Sequence, residues 1–310
     1  MLELVDLTKK FKTTQAVKSL NMFIERGEII GLLGPNGAGK STAISMLSTL
    51  IEPTSGDVRY VNNSVLKQTS SLRKDIGVVP QEIALYTDLT AEENLKFFGK
   101  IYRLSNKVLK ERIEEVLVQI GLTEKRKEIV KNFSGGMKRR LNIGVALLHQ
   151  PKILVMDEPT VGIDPQSRSY ILETVKQMNQ EEGMTVIYTS HYMEEVEYLC
   201  DRIYIMDQGD LIASGTKDEI KQILSAENTI SLIAYRWNEA FIESLESLPS
   251  INHLTIEGKE ITLIIPKQIN LFPELIRLTE EHDVDIRSLH VKTPTLEDVF
   301  LHLTGRALRD

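Results

Sequence analysis

Apolar and polar positions change rhythm along this chain, and each change marks an element. The first thirty residues, "LELVDL" and then "AVKSLNMFI" before the turn "ERGE", predict short strands joined by turns. "IIGLL" is an unbroken apolar run, the pattern of a strand covered on both faces. Beyond a glycine-rich turn, Ile44, Met46, Leu47, Leu50 and Ile51 recur at helical spacing. "GVVPQ" predicts a short strand ending at Gln81. From Glu82 to about Gln150 the pattern turns helical, as in Val108, Ile113, Val116, Leu117 and Ile120. "ILVM" and "TVIYTS" predict two more buried strands, separated by the helix "SRSYILETVKQMN", and "RIYIMDQGDLIAS" a hairpin.

After about Lys221 the rhythm is different. "TISLIAY" predicts a strand, "NEAFIESLESL" a helix, and "NHLTIE" and "EITLIIP" a strand pair around the turn Gly258-Lys259. "LFPELIRLTEEH" predicts a helix and "DIRSLHV" a last strand, giving the order βαββαβ of the ferredoxin-like split arrangement. A final helix is predicted from Thr295, with Asp298 completing a capping box, Leu296, Val299, Phe300 and Leu303 inside, and Gly305 as its stop. The expected division is a large domain over residues 1–220, its helical subdomain at about 82–150, and an accessory domain over 226–310.

Charge sharpens that division. The chain's formal net charge of -7 argues against nucleic acid as the main partner. It is unevenly spread: from Ala226 onward there are 14 acidic and 8 basic residues, against 30 and 29 before it. The one cysteine, Cys200, excludes an internal disulfide, and "EYLCDRIYIM" places it as a small buried apolar side chain. The start "MLELVDLTKK" lacks the apolar core of a signal peptide, and no run approaches the roughly 18 apolar residues that span a bilayer.

The candidate chemistry lies at the ends of the buried strands. "GPNGAGKST", comprising Gly34, Pro35, Asn36, Gly37, Ala38, Gly39, Lys40, Ser41 and Thr42, matches the phosphate-binding loop G-x-x-x-x-G-K-S/T between a strand and a helix. Its glycines let backbone N–H groups turn toward a phosphate chain, and the helix N-terminus adds positive potential. Lys40 is placed for the β- and γ-phosphates and the Ser41 hydroxyl for Mg²⁺. "ILVMDEP" brings Asp157 and Glu158 to the sheet edge that carries the phosphate loop, where open parallel sheets bind ligands. Asp157 is the candidate metal group and Glu158 the group that orients or deprotonates the attacking water. His191 follows "TVIYTS" at the same edge and can contact a γ-phosphate. Gln81 either binds metal and water or only caps a loop.

"NFSGGMKRR" offers a second anion site, with Ser134, Gly135 and Gly136 exposing donors at a helix N-terminus. A site about a hundred residues from Lys40 is most simply explained by a nucleotide held on another subunit. With these motifs in hand, residues 1 to about 220 resemble the ATP-binding subunit of an ATP-binding cassette (ABC) transporter. The likeness runs in motif order through Phe11, the phosphate loop, Gln81, "FSGGM", "ILVMDE", "VGIDP" and His191. "FSGGM" departs from the commonest signature, which begins with Leu and ends with Gln, so Met137 lacks a side-chain amide. "SGGMKRRL", "DEPTVGIDP" and the tail "TPTLEDVFLHLTG" are similar to the subfamily that serves ABC-2 type permeases, often exporters.

The resemblance implies an α/β P-loop NTPase with an antiparallel β subdomain and a helical subdomain, plus the small α+β accessory domain. It implies ATP and Mg²⁺, with Ser41, Gln81 and Asp157 toward the metal and Glu158, His191 and Gln81 toward catalysis. It implies a head-to-tail dimer with a second copy or a close paralogue, each ATP lying between one chain's phosphate loop and the other's Ser134–Gly136. Phe11 would stack on adenine, unless it is a core aromatic, and Asp164 would cross the interface. The segment "EIALYTDLTAEENL" would grip an integral-membrane permease and hold this cytoplasmic chain at the membrane. Lys138, Arg139 and Arg140 read as a solvated helix face in preference to a membrane-proximal rim. A soluble ABC ATPase of DNA repair or translation is the alternative, but a coiled-coil insertion, zinc cysteines, tandem cassettes and a basic surface are absent from the sequence. A regulatory module that barely turns over fits poorly with Asp157, Glu158 and His191 all present.

Overall fold

The computed structural model describes residues 2–223, 227–292 and 295–304. They fall into two compact units that divide between Lys217 and Asp218.

The first unit opens with the hairpin β1 (Leu2–Phe11) and β2 (Thr14–Ile24), followed by β3 (Ile29–Leu33) and α1 (Lys40–Leu47). β4 (Ser55–Tyr60) and β5 (Asn63–Ser64) return to the hairpin and complete an antiparallel sheet of order β2-β1-β4-β5. Next come α2 (Thr69–Asp75), β6 (Ile76–Val79), α3 (Ala91–Ile101), α4 (Asn106–Gln119) and α5 (Gly135–Leu147). β7 (Ile153–Met156), α6 (Pro165–Glu182), β8 (Thr185–Ser190), α7 (Met193–Leu199), β9 (Arg202–Asp207) and β10 (Asp210–Thr216) lead to the boundary, which falls after the first residue of α8 (Lys217–Gln222). The central sheet has the order β10-β9-β3-β8-β7-β6, parallel except for the hairpin strand β10.

Every residue of β3, β7 and β8 is buried, because helices and the antiparallel sheet leave these central strands no wet face. Their carboxyl ends carry the phosphate loop, Asp157-Glu158 and His191. Gly31 in β3 packs on Cys200; a Cβ there would lie 3.0 Å from the sulfur. Burial pushes the thiol pKa well up, as expected for an inert core cysteine.

Some helical expectations shift. α1 stops at Leu47, so Leu50 is 69% exposed rather than part of the helix's apolar face. β6 ends at Val79, and Pro80, with no N–H to donate, leaves Gln81 in the following loop. Residues 82–90 are also loop. Helix begins only at Ala91, where Thr90 and Glu93 form a capping box and Asn94 bonds both backbone groups of Tyr86. Val108 lies on the exposed first turn of α4, while Ile113, Val116 and Leu117 face inward.

The second unit contains β11 (Glu227–Arg236), α9 (Glu239–Glu246), β12 (His253–Glu257), β13 (Glu260–Pro266), α10 (Phe272–Glu281), β14 (Asp285–Lys292) and α11 (Leu296–Thr304). Its antiparallel sheet has the order β12-β13-β11-β14, the ferredoxin-like arrangement expected from βαββαβ. Ile230, Leu232, Phe241, Leu245, Leu263 and Leu275 form its own core. In α11, Leu296, Val299 and Phe300 are buried and Leu303 is half-buried. The proposed capping side chain of Asp298 and the stop at Gly305 lie outside the described residues.

Candidate functional site

The phosphate loop is built by close backbone approach. Gly39 opens α1 at φ +104°, and a Cβ there would lie 2.3 Å from the Ala16 carbonyl oxygen of β2. Ala38 is buried; Asn36 and Gly37 are exposed at the crown of the loop. Lys40 is only 4% exposed, and its ammonium donates to the carbonyls of Gly34 at 2.7 Å and Pro35 at 3.2 Å. Ser41 projects from the same first turn and is exposed, with Thr42 beside it half-buried.

Glu158 is the meeting point. Its Oε1 lies 3.2 Å from Lys40 Nζ, its Oε2 accepts from Gln81 Nε2 at 3.3 Å, and His191 Nδ1 sits 3.3 Å from Oε2. Lys40, Gln81, Glu158 and His191, spread over 152 residues of sequence, thus converge on one carboxylate. Glu158 adopts φ +44°, a left-handed conformation that costs a non-glycine residue about 1–3 kcal/mol and that surrounding contacts must hold. One of those contacts was not visible in the sequence. Thr189 of β8, fully buried, accepts the Glu158 N–H at 2.8 Å and donates to Asp157 Oδ1 at 2.7 Å.

Arg139 is a second residue that sequence reasoning misplaced. It is 4% exposed, and its guanidinium donates to the carbonyls of Pro80 at 2.7 Å and Gln81 at 2.6 Å. The helix opened by Ser134 therefore holds the backbone of the Gln81 loop. Arg140 donates to the Ile120 carbonyl and lies 4.7 Å over the Tyr170 ring, and Lys138 is half-buried. The "KRR" run is thus chiefly structural rather than a solvated face.

Ser134 caps α5, its hydroxyl accepting the Met137 N–H at 3.2 Å, and Ser134 and Gly135 are exposed. Gly136 packs against the start of α6; a Cβ there would lie 2.0 Å from Ser167 Oγ and 3.4 Å from Asp164 Oδ2. Asp164 caps α6, and the Ser167 N–H at 2.8 Å holds its carboxyl below the usual range. Phe11 ends β1 and is 48% exposed, with Lys9 over its ring at 5.2 Å, so it is not a core aromatic. Ser41, Asp157 and Gln81 offer hydroxyl, carboxylate and amide oxygens, the hard donors that suit Mg²⁺ beside phosphate.

The chain matches the ABC transporter family over residues 17–161 and, over residues 215–304, the ATP-binding protein DrrA1-3-like C-terminal domain. It is 50% identical over 312 residues to the linearmycin resistance ATP-binding protein LnrL of Bacillus subtilis, covering 100% of both chains. The chain belongs to the ATP-binding subunits of ABC transporters. It is 32% identical to the daunorubicin resistance ATP-binding protein DrrA3 of Streptomyces coeruleorubidus, covering 96% of this chain and 93% of the other. Its fold matches, at TM-score 0.64 and 29% identity over 70% of this chain and 98% of the other, a dimeric ATP-binding cassette in a post-hydrolysis state with ADP and Pi. As a member of this family it is an ATPase that uses ATP with Mg²⁺ and supplies the energy for a transporter. Among the described residues, no helix is long and apolar enough to cross a membrane.

Proposed function

We propose that this chain is the energy-coupling ATPase of an exporter, acting as a head-to-tail dimer on an integral-membrane permease of the ABC-2 type at the cytoplasmic face. The resistance proteins to which it is similar over nearly full length favour export over uptake. One observation carries the two-chain site. The groups around Lys40 are Gly34, Pro35 and Glu158, whereas Gly136 packs on Asp164 and Ser167 and its helix presents Ser134 and Gly135 outward. The exposed donors of α5 then serve a nucleotide on the neighbouring chain.

Lys40 and the loop N–H groups from Gly37 onward bind the β- and γ-phosphates, and Phe11 stacks on the adenine. Ser41, Asp157 and Gln81 would hold Mg²⁺, which neutralises phosphate charge when it arrives with the nucleotide. Glu158 orients the attacking water and accepts its proton, and His191 donates to the γ-phosphate. Asp164 lies at the chain-to-chain contact and relates one pocket to the other. Closure of the pair around two nucleotides moves the permease, which grips the helical subdomain after Gln81, and hydrolysis reopens it. The accessory domain, from about residue 226, adds to dimer contacts.

Glu158→Gln tests this scheme. Turnover should fall by about 10²–10⁴-fold, the usual contribution of a positioned base. ATP binding should persist, and an ATP-dependent dimer should accumulate on a sizing column. A variant with near-normal ATPase activity would remove Glu158 from the chemistry.

A further inference from the structure

Glu195 of α7 is 2% exposed, and a carboxylate that deep requires partners. Three hydroxyls donate to its Oε2: Thr160 at 2.8 Å, Tyr188 at 2.9 Å and Ser190 at 2.9 Å. Burial, helped by the Glu195 charge, pushes the Tyr188 pKa well above its usual value, so the phenol stays a donor. Thr160 lies two residues beyond Glu158 and Ser190 one residue before His191, so a single oxygen joins the two catalytic loops. The other oxygen, Oε1, faces Arg168 Nε at 3.4 Å, an ion pair without an aligned hydrogen bond.

Arg168 stands on the first turn of α6, its N–H bonded to the Asp164 carbonyl at 3.0 Å. Its guanidinium also lies over the Tyr192 ring at 4.6 Å, within cation–π range, and the Tyr192 and His191 rings are 4.2 Å apart. The turn of α6 that carries Asp164 and packs on Gly136 therefore reaches the imidazole through two side chains, Arg168 and Tyr192.

We infer that Arg168, held by the buried Glu195 carboxylate, is a positioning residue that sets the orientation of His191 and links it to the Asp164 turn. The inference rests on the catalytic reading of His191 given above. Arg168 touches no reacting atom, and its effect runs through the Tyr192–His191 pair. Arginine suits the post because its planar fork can face a carboxylate and stack on a ring together; lysine supplies only the charge.

The test is a double-mutant cycle on the full-length chain with ATP and Mg²⁺. Removing the guanidinium leaves Glu195 Oε1 buried without its counter-charge, so Arg168→Ala should fold with a lowered melting temperature but, below that melt, an unchanged KM for ATP. Its kcat should fall by about ten- to a hundredfold, the scale of a small misplacement at the reacting centre. Arg168→Lys should recover part of that loss. On a His191→Ala background, adding Arg168→Ala should change the rate by less than twofold, because both substitutions remove one function. Single-turnover rates with protein in excess keep the slow variants measurable. Multiplicative losses, or an Arg168→Ala variant with full kcat, overturn the inference. Full activity in His191→Ala alone would instead overturn the role assigned to His191.

Discussion

Replacing Thr189 by valine removes one oxygen and leaves the volume of a fully buried side chain almost unchanged. Two short bonds go with that oxygen, the one accepted from the Glu158 N–H and the one donated to Asp157, along with a long 3.5 Å contact to the Met156 carbonyl. An orphaned buried N–H costs about 1–3 kcal/mol, and a hydrogen bond to a charged group contributes about 1.5–3 kcal/mol. Asp157 keeps slight solvent contact at 9% exposure and recovers part of its share, so the net loss should be about 2–4 kcal/mol. Thr189→Ser keeps the hydroxyl and deletes one methyl, which should cost only about 1 kcal/mol. Function should separate the pair further. Without its bond, the Glu158 backbone is free to leave its left-handed conformation, and a misdirected carboxylate should lower kcat by roughly a hundredfold. Urea unfolding followed by circular dichroism, with steady-state ATPase rates, measures both effects. If valine and serine variants match in stability and turnover, the hydroxyl does not hold the acidic pair.

His149 gives a pH prediction. Burial lowers its pKa below the ordinary 6.5, and its ring donates to the Ile76 carbonyl and stacks on Tyr102 at 4.1 Å. The unfolded chain then binds the proton first, so stability should decline as pH falls through about 6.5 toward the folded value, and His149→Gln should flatten that slope in melts from pH 7.5 to 5. Ending the chain at Ile223 should leave nucleotide binding intact while weakening the ATP-dependent dimer of Glu158→Gln; lost nucleotide binding would show that the cassette needs the accessory domain.

The parts legible in sequence were those whose signal is local. "IIGLL", "ILVM" and "TVIYTS" form the buried parallel strands because unbroken apolar runs have no face to give to water. The phosphate loop was legible because its glycines answer a backbone requirement inside nine residues. Thr189, Arg139 and Glu195 were not, because each takes its meaning from partners 31 to 59 residues away, or on three separate segments. A basic run looks like a wet helix face until the carbonyls that bury Arg139 are in view. Leu50 was misassigned for the opposite reason: apolar spacing does not say where a helix ends.

The two-chain pocket can be tested by mixing inactive variants. Lys40→Ala removes the phosphate-loop cation from both pockets of its own dimer. Gly135→Asp places a carboxylate where the second cradle offers donors; a Cβ at Gly135 meets nothing closer than 3.9 Å, and an acid suits a helix N-terminus, so the fold should hold. In a mixed dimer, one pocket combines both lesions and the other combines neither. Mixing equal amounts should restore ATPase activity toward roughly a quarter of the unmodified protein's, since about half the dimers are mixed and each has one sound pocket. Activity no greater than the sum of the separate variants would contradict a nucleotide site completed by two chains.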